Sequence, residues 1–120
     1  MKYLLAIILL VIPVFGEQPN CKGNPKIVAA CYTVHGKATF GNGTPALRIW
    51  PVGTKRMLGV TAGPKAEDAN NQAIAPKNFY IPNGAEAIYG DFEVCPFTRE
   101  RKGYMQMVCV ESASHIFVKY

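Results

Sequence analysis

The stretch Ala87-Ile-Tyr-Gly-Asp-Phe-Glu-Val-Cys-Pro-Phe97 is the densest strand-like run in the chain. Its apolar residues Ile88, Phe92 and Val94 recur at every second or fourth position, with polar residues between them. A period of two is typical of a β-strand that buries one face and exposes the other. The run therefore predicts a core strand.

A short basic turn follows this strand and leads into a second strand-like run, Tyr104–Val110. If the two runs form a hairpin, Val94 lies opposite Val110 and Cys95 lies opposite Cys109. Residues at such cross-strand positions are close enough for a disulfide bond.

The chain contains four cysteines, and an even number in an oxidising compartment indicates two disulfide bonds. The hairpin favours a Cys95–Cys109 bond, which leaves Cys21–Cys31 as the second. Zinc is the competing interpretation, but the sequence has no C-x-x-C pair and only two histidines. We therefore predict no metal site and no cofactor.

Upstream, Tyr32–Phe40 alternates as a half-buried strand and ends at Asn42-Gly43, a strong signal for a two-residue type I′ turn. This turn would place Lys37 opposite Arg48 as a like-charge pair. It would also place His35 opposite Trp50.

A second turn, at Gly53-Thr54, sets Ile49 against Leu58. The two hairpins agree on which face of the middle strand is buried, and a one-residue slip would invert that face. The sequence thus predicts a three-strand meander with these inward residues: Ala38, Leu47, Ile49, Leu58 and Val60.

Between the meander and the last two strands, residues 61–78 predict either a short helix over about 65–73 or a polar loop. Three strands, such a connection and two further strands follow the order of the OB-fold. The chain resembles exported bacterial OB-type domains of unassigned function over these stretches: Val34–Ala38, Leu47–Trp50, Ala87–Val94 and Val110–Val118. The resemblance implies an all-β, five-stranded OB-like barrel, and the alternative is an immunoglobulin-like or transthyretin-like β-sandwich.

The N-terminus has the features of a secretory signal peptide, which we place at residues 1–16. Lys2 supplies a positive charge, Leu4–Val11 is continuously apolar, and Gly16 provides a small residue at the cleavage site. The apolar run is too short to span a bilayer, which takes about 20 residues. We expect residues 17–120 to form one disulfide-stabilised β domain, periplasmic or secreted, with no transmembrane segment after cleavage.

The outward face of the meander is the best candidate for a binding site. It combines basic residues with one aromatic platform, as ligand-binding OB domains do. Its predicted members are His35, Lys37, Arg48 and Trp50, with Lys55 and Arg56 at the adjoining turn. The formal net charge of +5 permits anionic partners. We expect the partner to be an anionic glycan, a lipid headgroup or an envelope protein. Nucleic acid is not expected, because the sequence predicts an exported protein.

Two other functions remain open at this point. The chain could be a structural envelope protein with no dedicated ligand. It could also be a small hydrolase, because Asp91 and Glu93 share a strand face about 7 Å apart, and paired carboxylates do acid–base work in glycosidases. A serine hydrolase is disfavoured, because Ser114 and His115 are adjacent and would point to opposite faces of a regular strand. We predict a non-enzymatic protein.

Overall fold

The computed structural model describes residues 20–120, apart from the side chain of residue 71, so the predicted signal peptide at residues 1–16 lies outside it. The chain forms five strands: β1 Tyr32–Phe40, β2 Leu47–Pro51, β3 Leu58–Val60, β4 Ala87–Pro96 and β5 Gln106–Lys119. The long connection between β3 and β4 contains one 3-10 helix, Ala66–Asn71, where the sequence predicted a helix or a loop. In residues 20–120, no helix has the length and apolar character needed to cross a membrane.

The strands close into a single barrel in the order β1-β2-β3-β5-β4. All neighbours are antiparallel except β3 and β5, which run parallel. This arrangement confirms the five-stranded OB-like barrel and is not the two-sheet sandwich considered as the alternative. Within the barrel, β4 lies between β1 and β5.

The barrel interior is filled by the residues that the meander pattern turns inward. Ala38, Ile49, Leu58 and Val60 have no exposed surface, and Leu47 is partly buried against them. The ring of Phe79, from the β3–β4 connection, packs edge-on to Phe92 with centroids 5.1 Å apart. Full burial of a large apolar side chain stabilises the folded state by about 1.5–3 kcal/mol. The strands therefore fold with their apolar faces towards the interior of the barrel.

The first hairpin differs in register from the prediction by two residues. Lys37 lies opposite Trp50, and Arg48 lies opposite Thr39, so the predicted like-charge pair is wrong. The predicted turn would have placed Pro45 inside strand β2, a position that proline rarely takes in a sheet. Instead Gly41 N–H donates to the Ala46 carbonyl across a four-residue loop, and Pro45 is buried. A shift of two preserves the faces, so the buried set is unchanged.

The other two hairpins have the predicted register. Ile49 lies opposite Leu58 in the β2–β3 pair. In the β4–β5 pair, Val94 lies opposite Val110.

The predicted disulfide pairing is wrong, although Cys95 and Cys109 do lie opposite each other in the ladder. The bonds are Cys31–Cys95 and Cys21–Cys109, with Cα separations of 4.1 and 5.5 Å. Tyr32 pairs with Val94 across β1 and β4. One step further along this ladder, Cys31 faces Cys95. This long-range pairing cannot be read from the spacing of the cysteines.

The segment before β1 covers the outer side of β4 and β5. Cys21 and Ile27 pack in a second apolar cluster with Phe97 and Ile74, around both disulfides. Val28 N–H also donates to the Pro96 carbonyl over 3.0 Å. The Cys21–Cys109 bond therefore attaches the N-terminal segment to the barrel, and the Cys31–Cys95 bond links the residue before β1 to β4.

Candidate functional site

Four side chains form a transverse row on the outer surface of four adjacent strands. Lys37 of β1 lies opposite Trp50 of β2 on one side and opposite Tyr89 of β4 on the other. Tyr89 in turn lies opposite Phe117 of β5. We refer to Trp50, Lys37, Tyr89 and Phe117 as the aromatic–lysine row.

Phe117 is the exposed member of the row, and the other three side chains are half-buried and internally ordered. Phe117 is 64% exposed, and its ring centroid lies 6.5 Å from that of Tyr89. The Lys37 ammonium lies 5.9 Å from the Tyr89 ring and 3.6 Å from a Glu86 carboxylate oxygen. The Trp50 indole N–H donates to the Thr54 carbonyl over 2.8 Å, which fixes the orientation of the ring.

Beside the row, both histidines of the chain meet one carboxylate. Nδ1 of His35 lies 3.0 Å from Oδ1 of Asp91, and Nδ1 of His115 lies 3.0 Å from Oδ2. Because a carboxylate can only accept, each imidazole donates its Nδ1–H. The hydrogen bond from His35 is the main cause that holds the pKa of Asp91 below its usual value. The His115 imidazole acts in the same direction, and partial burial opposes both. We call these three residues the His–Asp–His cluster.

A β-bulge in β5 directs His115 to this face. Tyr89 pairs with Phe117 but Asp91 pairs with Ser114, so His115 and the residue after it together face Gly90. His115 has φ +52°, in the left-handed region. A Cβ on Gly90 would lie 3.0 Å from the Ser114 carbonyl oxygen, so glycine there leaves room for the bulge. Bulges of this kind re-aim side chains and are frequent beside functional sites.

The structure divides the predicted binding residues between two places. His35, Lys37, Arg48 and Trp50 share the outer face of β1 and β2, as predicted. The Arg48 side chain, however, turns back to donate to the Pro45 carbonyl over 2.8 Å.

Lys55 and Arg56 do not join this face. The Arg56 guanidinium donates to the Tyr32 hydroxyl and to Gln106 Oε1, over 3.0 and 2.7 Å. Lys55 is exposed and lines a separate cleft with the β4–β5 loop, where Arg101 stacks on Tyr104 at 4.1 Å.

Asp91 and Glu93 share the outer face of β4, as the spacing predicted. Asp91 accepts hydrogen bonds from the two histidines. Glu93 forms an ion pair with Lys22, with 2.9 Å between Oε2 and Nζ. The same ion pair raises the pKa of Lys22. Each carboxylate thus has its own cationic or donor partner rather than facing the other across a gap.

Sequence reasoning missed Tyr89, Phe117 and the role of His115. Tyr89 and Phe117 alternate outward on their strands, so the period-two pattern could have placed them on the surface. Their alignment with Lys37 depends on the β1–β4 and β4–β5 registers. The sequence contains no signal for the bulge beyond the small residues before His115.

Within residues 20–120, a group of three cysteines and the His–Asp–His cluster hold side chains of the types that bind metals. Cys21, Cys95 and Cys109 lie together, but all are in disulfide bonds, so they offer no thiolate. The His–Asp–His cluster offers two imidazoles and one carboxylate at the surface.

No protein-family model matches this chain, and neither does any of the curated proteins or solved structures compared with it.

Proposed function

We propose that this protein is an exported, non-enzymatic binding module of the bacterial envelope that holds an acidic saccharide on the aromatic–lysine row. The observation that carries the proposal is the alignment of Trp50, Lys37, Tyr89 and Phe117 at one level of four neighbouring strands. The two disulfide bonds, which are typical of oxidising compartments, support the exported location.

The chemistry of the row suits a sugar chain with acidic groups. Aromatic faces carry partial negative charge and attract the C–H groups on the flat side of a sugar ring. Lys37 lies between Trp50 and Tyr89, where its ammonium can pair with a carboxylate or sulfate on the same chain. Since the row crosses the strands, successive aromatic side chains can contact successive sugar units.

The net charge supports an anionic rather than a neutral ligand. The chain carries 13 Lys and Arg against 8 Asp and Glu, and removal of residues 1–16 takes away only Lys2. A positive surface raises the local concentration of polyanions and speeds their encounter with the protein. Weak, salt-dependent binding to an acidic polymer is therefore expected, with the aromatic residues adding specificity.

The test is to measure binding of a uronate-containing polysaccharide and of a neutral polysaccharide by calorimetry. Trp50→Ala and Phe117→Ala should each weaken binding by about 3- to 10-fold, the equivalent of an aromatic contact of about 0.5–1.5 kcal/mol. Lys37→Gln should weaken binding of the acidic polymer and leave any binding of the neutral one unchanged.

Two matched variants control for loss of an exposed aromatic ring or of a charge elsewhere. Tyr104→Ala removes a ring that is 65% exposed, and Lys55→Gln removes a lysine off this face. Both should bind like the wild type. If the acidic polymer does not bind, or if the control variants lose as much affinity as the row variants, the proposal fails. The purely structural alternative would then be favoured.

A further inference from the structure

We propose that the His–Asp–His cluster is a surface binding site for a divalent cation of the zinc type. His35 and His115 would each supply Nδ1, and Asp91 would supply its carboxylate. The proposal concerns a different ligand from the saccharide and stands on its own observations.

The first observation is convergence. The chain has only two histidines, one on β1 and one on β5, and the two strands that carry them flank β4. Both imidazoles reach the same carboxylate with the same ring nitrogen, one to each oxygen. Imidazole nitrogen combined with carboxylate oxygen is a ligand set that zinc accepts readily.

The second observation is the spacing of the ligand atoms. Zinc lies about 2.0–2.2 Å from nitrogen and oxygen ligands, so two ligands at or somewhat above a right angle are about 3.0–3.5 Å apart. Each nitrogen–oxygen distance in the cluster is 3.0 Å. The two imidazole nitrogens lie farther from each other than from the carboxylate, so a cation that replaces the two Nδ1 protons binds all three ligands once the rings turn towards it.

The third observation is that the site is open and adjustable. The side chains of His35 and His115 are 63% and 82% exposed, so both rings can turn to bring their nitrogens around a cation. Solvent can fill the remaining positions, which distinguishes this arrangement from a closed structural zinc site.

The fourth observation is the backbone that presents His115. A regular strand would turn this residue away from the face of Asp91, and the bulge with its left-handed φ turns it outward. Left-handed backbone at a residue other than glycine is uncommon and often accompanies function.

The experiment uses the untagged, disulfide-bonded protein, stripped with chelator and titrated with Zn²⁺ by calorimetry. We expect one saturable site per chain, with a Kd well below about 1 mM, and no comparable binding of Mg²⁺. His35→Gln, His115→Gln and Asp91→Asn should each weaken Zn²⁺ binding by at least about tenfold. Glu93→Gln is the matched control on the same face of β4 and should stay within about twofold of the wild type.

A second measurement uses only the wild-type protein, so its result does not depend on whether the variants fold. The imidazole resonances of both histidines in the wild-type protein should shift together as Zn²⁺ is added, and saturate at one equivalent. The proposal is overturned if Zn²⁺ binding is not saturable, if the three variants bind as tightly as the wild type, or if only one histidine responds.

Discussion

Among the single residues, Asp91 has the most distinctive electrostatic environment. Its carboxylate accepts hydrogen bonds from His35 and His115, and these lower its pKa. A depressed pKa means that the folded state binds protons less readily than the unfolded state. The associated stabilisation is fully present above the ordinary carboxyl pKa of about 3.9 and is lost as the pH falls through the lower folded value.

Asp91→Asn should therefore destabilise the protein at pH 6–7. The effect should shrink as the pH falls below about 3.9 and through the lowered folded-state pKa of Asp91, because the wild-type carboxyl is then protonated and neutral like the asparagine. Urea unfolding at several pH values in metal-free buffer measures the difference between wild type and variant. Glu67→Gln, on the 3-10 helix, controls for the general loss of a carboxylate. A difference that stays constant down to pH 2–3 would contradict the assigned cause.

The sequence placed several site residues correctly because alternation along a strand is a local property. It assigned His35, Lys37, Arg48 and Trp50 to one outer face, and the structure has them there. The sequence did not reveal which of these four residues are neighbours. Lys37 faces Trp50 rather than Arg48, because the loop after β1 is two residues longer than the predicted turn.

Among the strands, the bulge in β5 determines what the outer face can do. It brings His115 to Asp91 and returns Phe117 to the outward set, opposite Tyr89. The bulge can be tested through the relative stability of alanine and glycine at one position. In a regular strand, a protein with glycine at a given position is less stable than one with alanine there by about 0.5–1 kcal/mol. In left-handed backbone the order reverses, since a Cβ costs about 1–2 kcal/mol there.

His115→Gly should therefore be more stable than His115→Ala, by about 1 kcal/mol in the free energy of unfolding. His35 is the matched control, because it binds the same carboxylate from a strand without a register shift. There His35→Ala should be more stable than His35→Gly. Chemical denaturation of the four variants measures both differences. The same sign at both positions would show that His115 does not occupy left-handed backbone.

Local and long-range pairings differ in what the sequence reveals about them. The partners Ile49–Leu58 and Val94–Val110 followed from turn residues and alternation, because each hairpin is short. Pairing of β1 with β4 joins strands about 50 residues apart, and no turn specifies its register. The OB-like strand order was predicted from the succession of elements, but an order of strands does not determine which residues face each other.

In the molecule as a whole, the disulfide bonds connect segments that are distant in sequence. Cys31–Cys95 spans 64 residues and Cys21–Cys109 spans 88, whereas the predicted bonds would have closed short loops. In the chain-entropy model, a cross-link that closes a loop of this length raises the free energy of the unfolded chain by about 4–5 kcal/mol. The two bonds are nested, however, so the second adds less than it would alone. A barrel of this size has a limited core, and such links offset that limit.

Trypsin digestion without reduction tests this connectivity directly. Cleavage after lysine and arginine separates all four cysteines: Cys21 lies in the peptide ending at 22, Cys31 in 27–37, Cys95 in 78–99, and Cys109 in 103–119. We expect 27–37 to be linked to 78–99, and the peptide ending at 22 to be linked to 103–119. A link between 78–99 and 103–119 would instead support a Cys95–Cys109 bond and contradict the barrel pairing at this end.

The two bonds should also differ in what their removal does. Cys31, directly before β1, is bonded to Cys95 of the neighbouring strand β4, whereas the Cys21–Cys109 bond attaches the N-terminal segment to the outer side of the barrel. Replacing Cys21 and Cys109 by alanine should lower the free energy of unfolding by about 2–5 kcal/mol. It should also increase amide exchange over 20–30 before the barrel itself opens. Replacing Cys31 and Cys95 should lower stability to a similar extent but increase exchange in β1 and β4 first. The assignment of the two bonds to different parts of the fold is refuted if both double variants show the same exchange pattern.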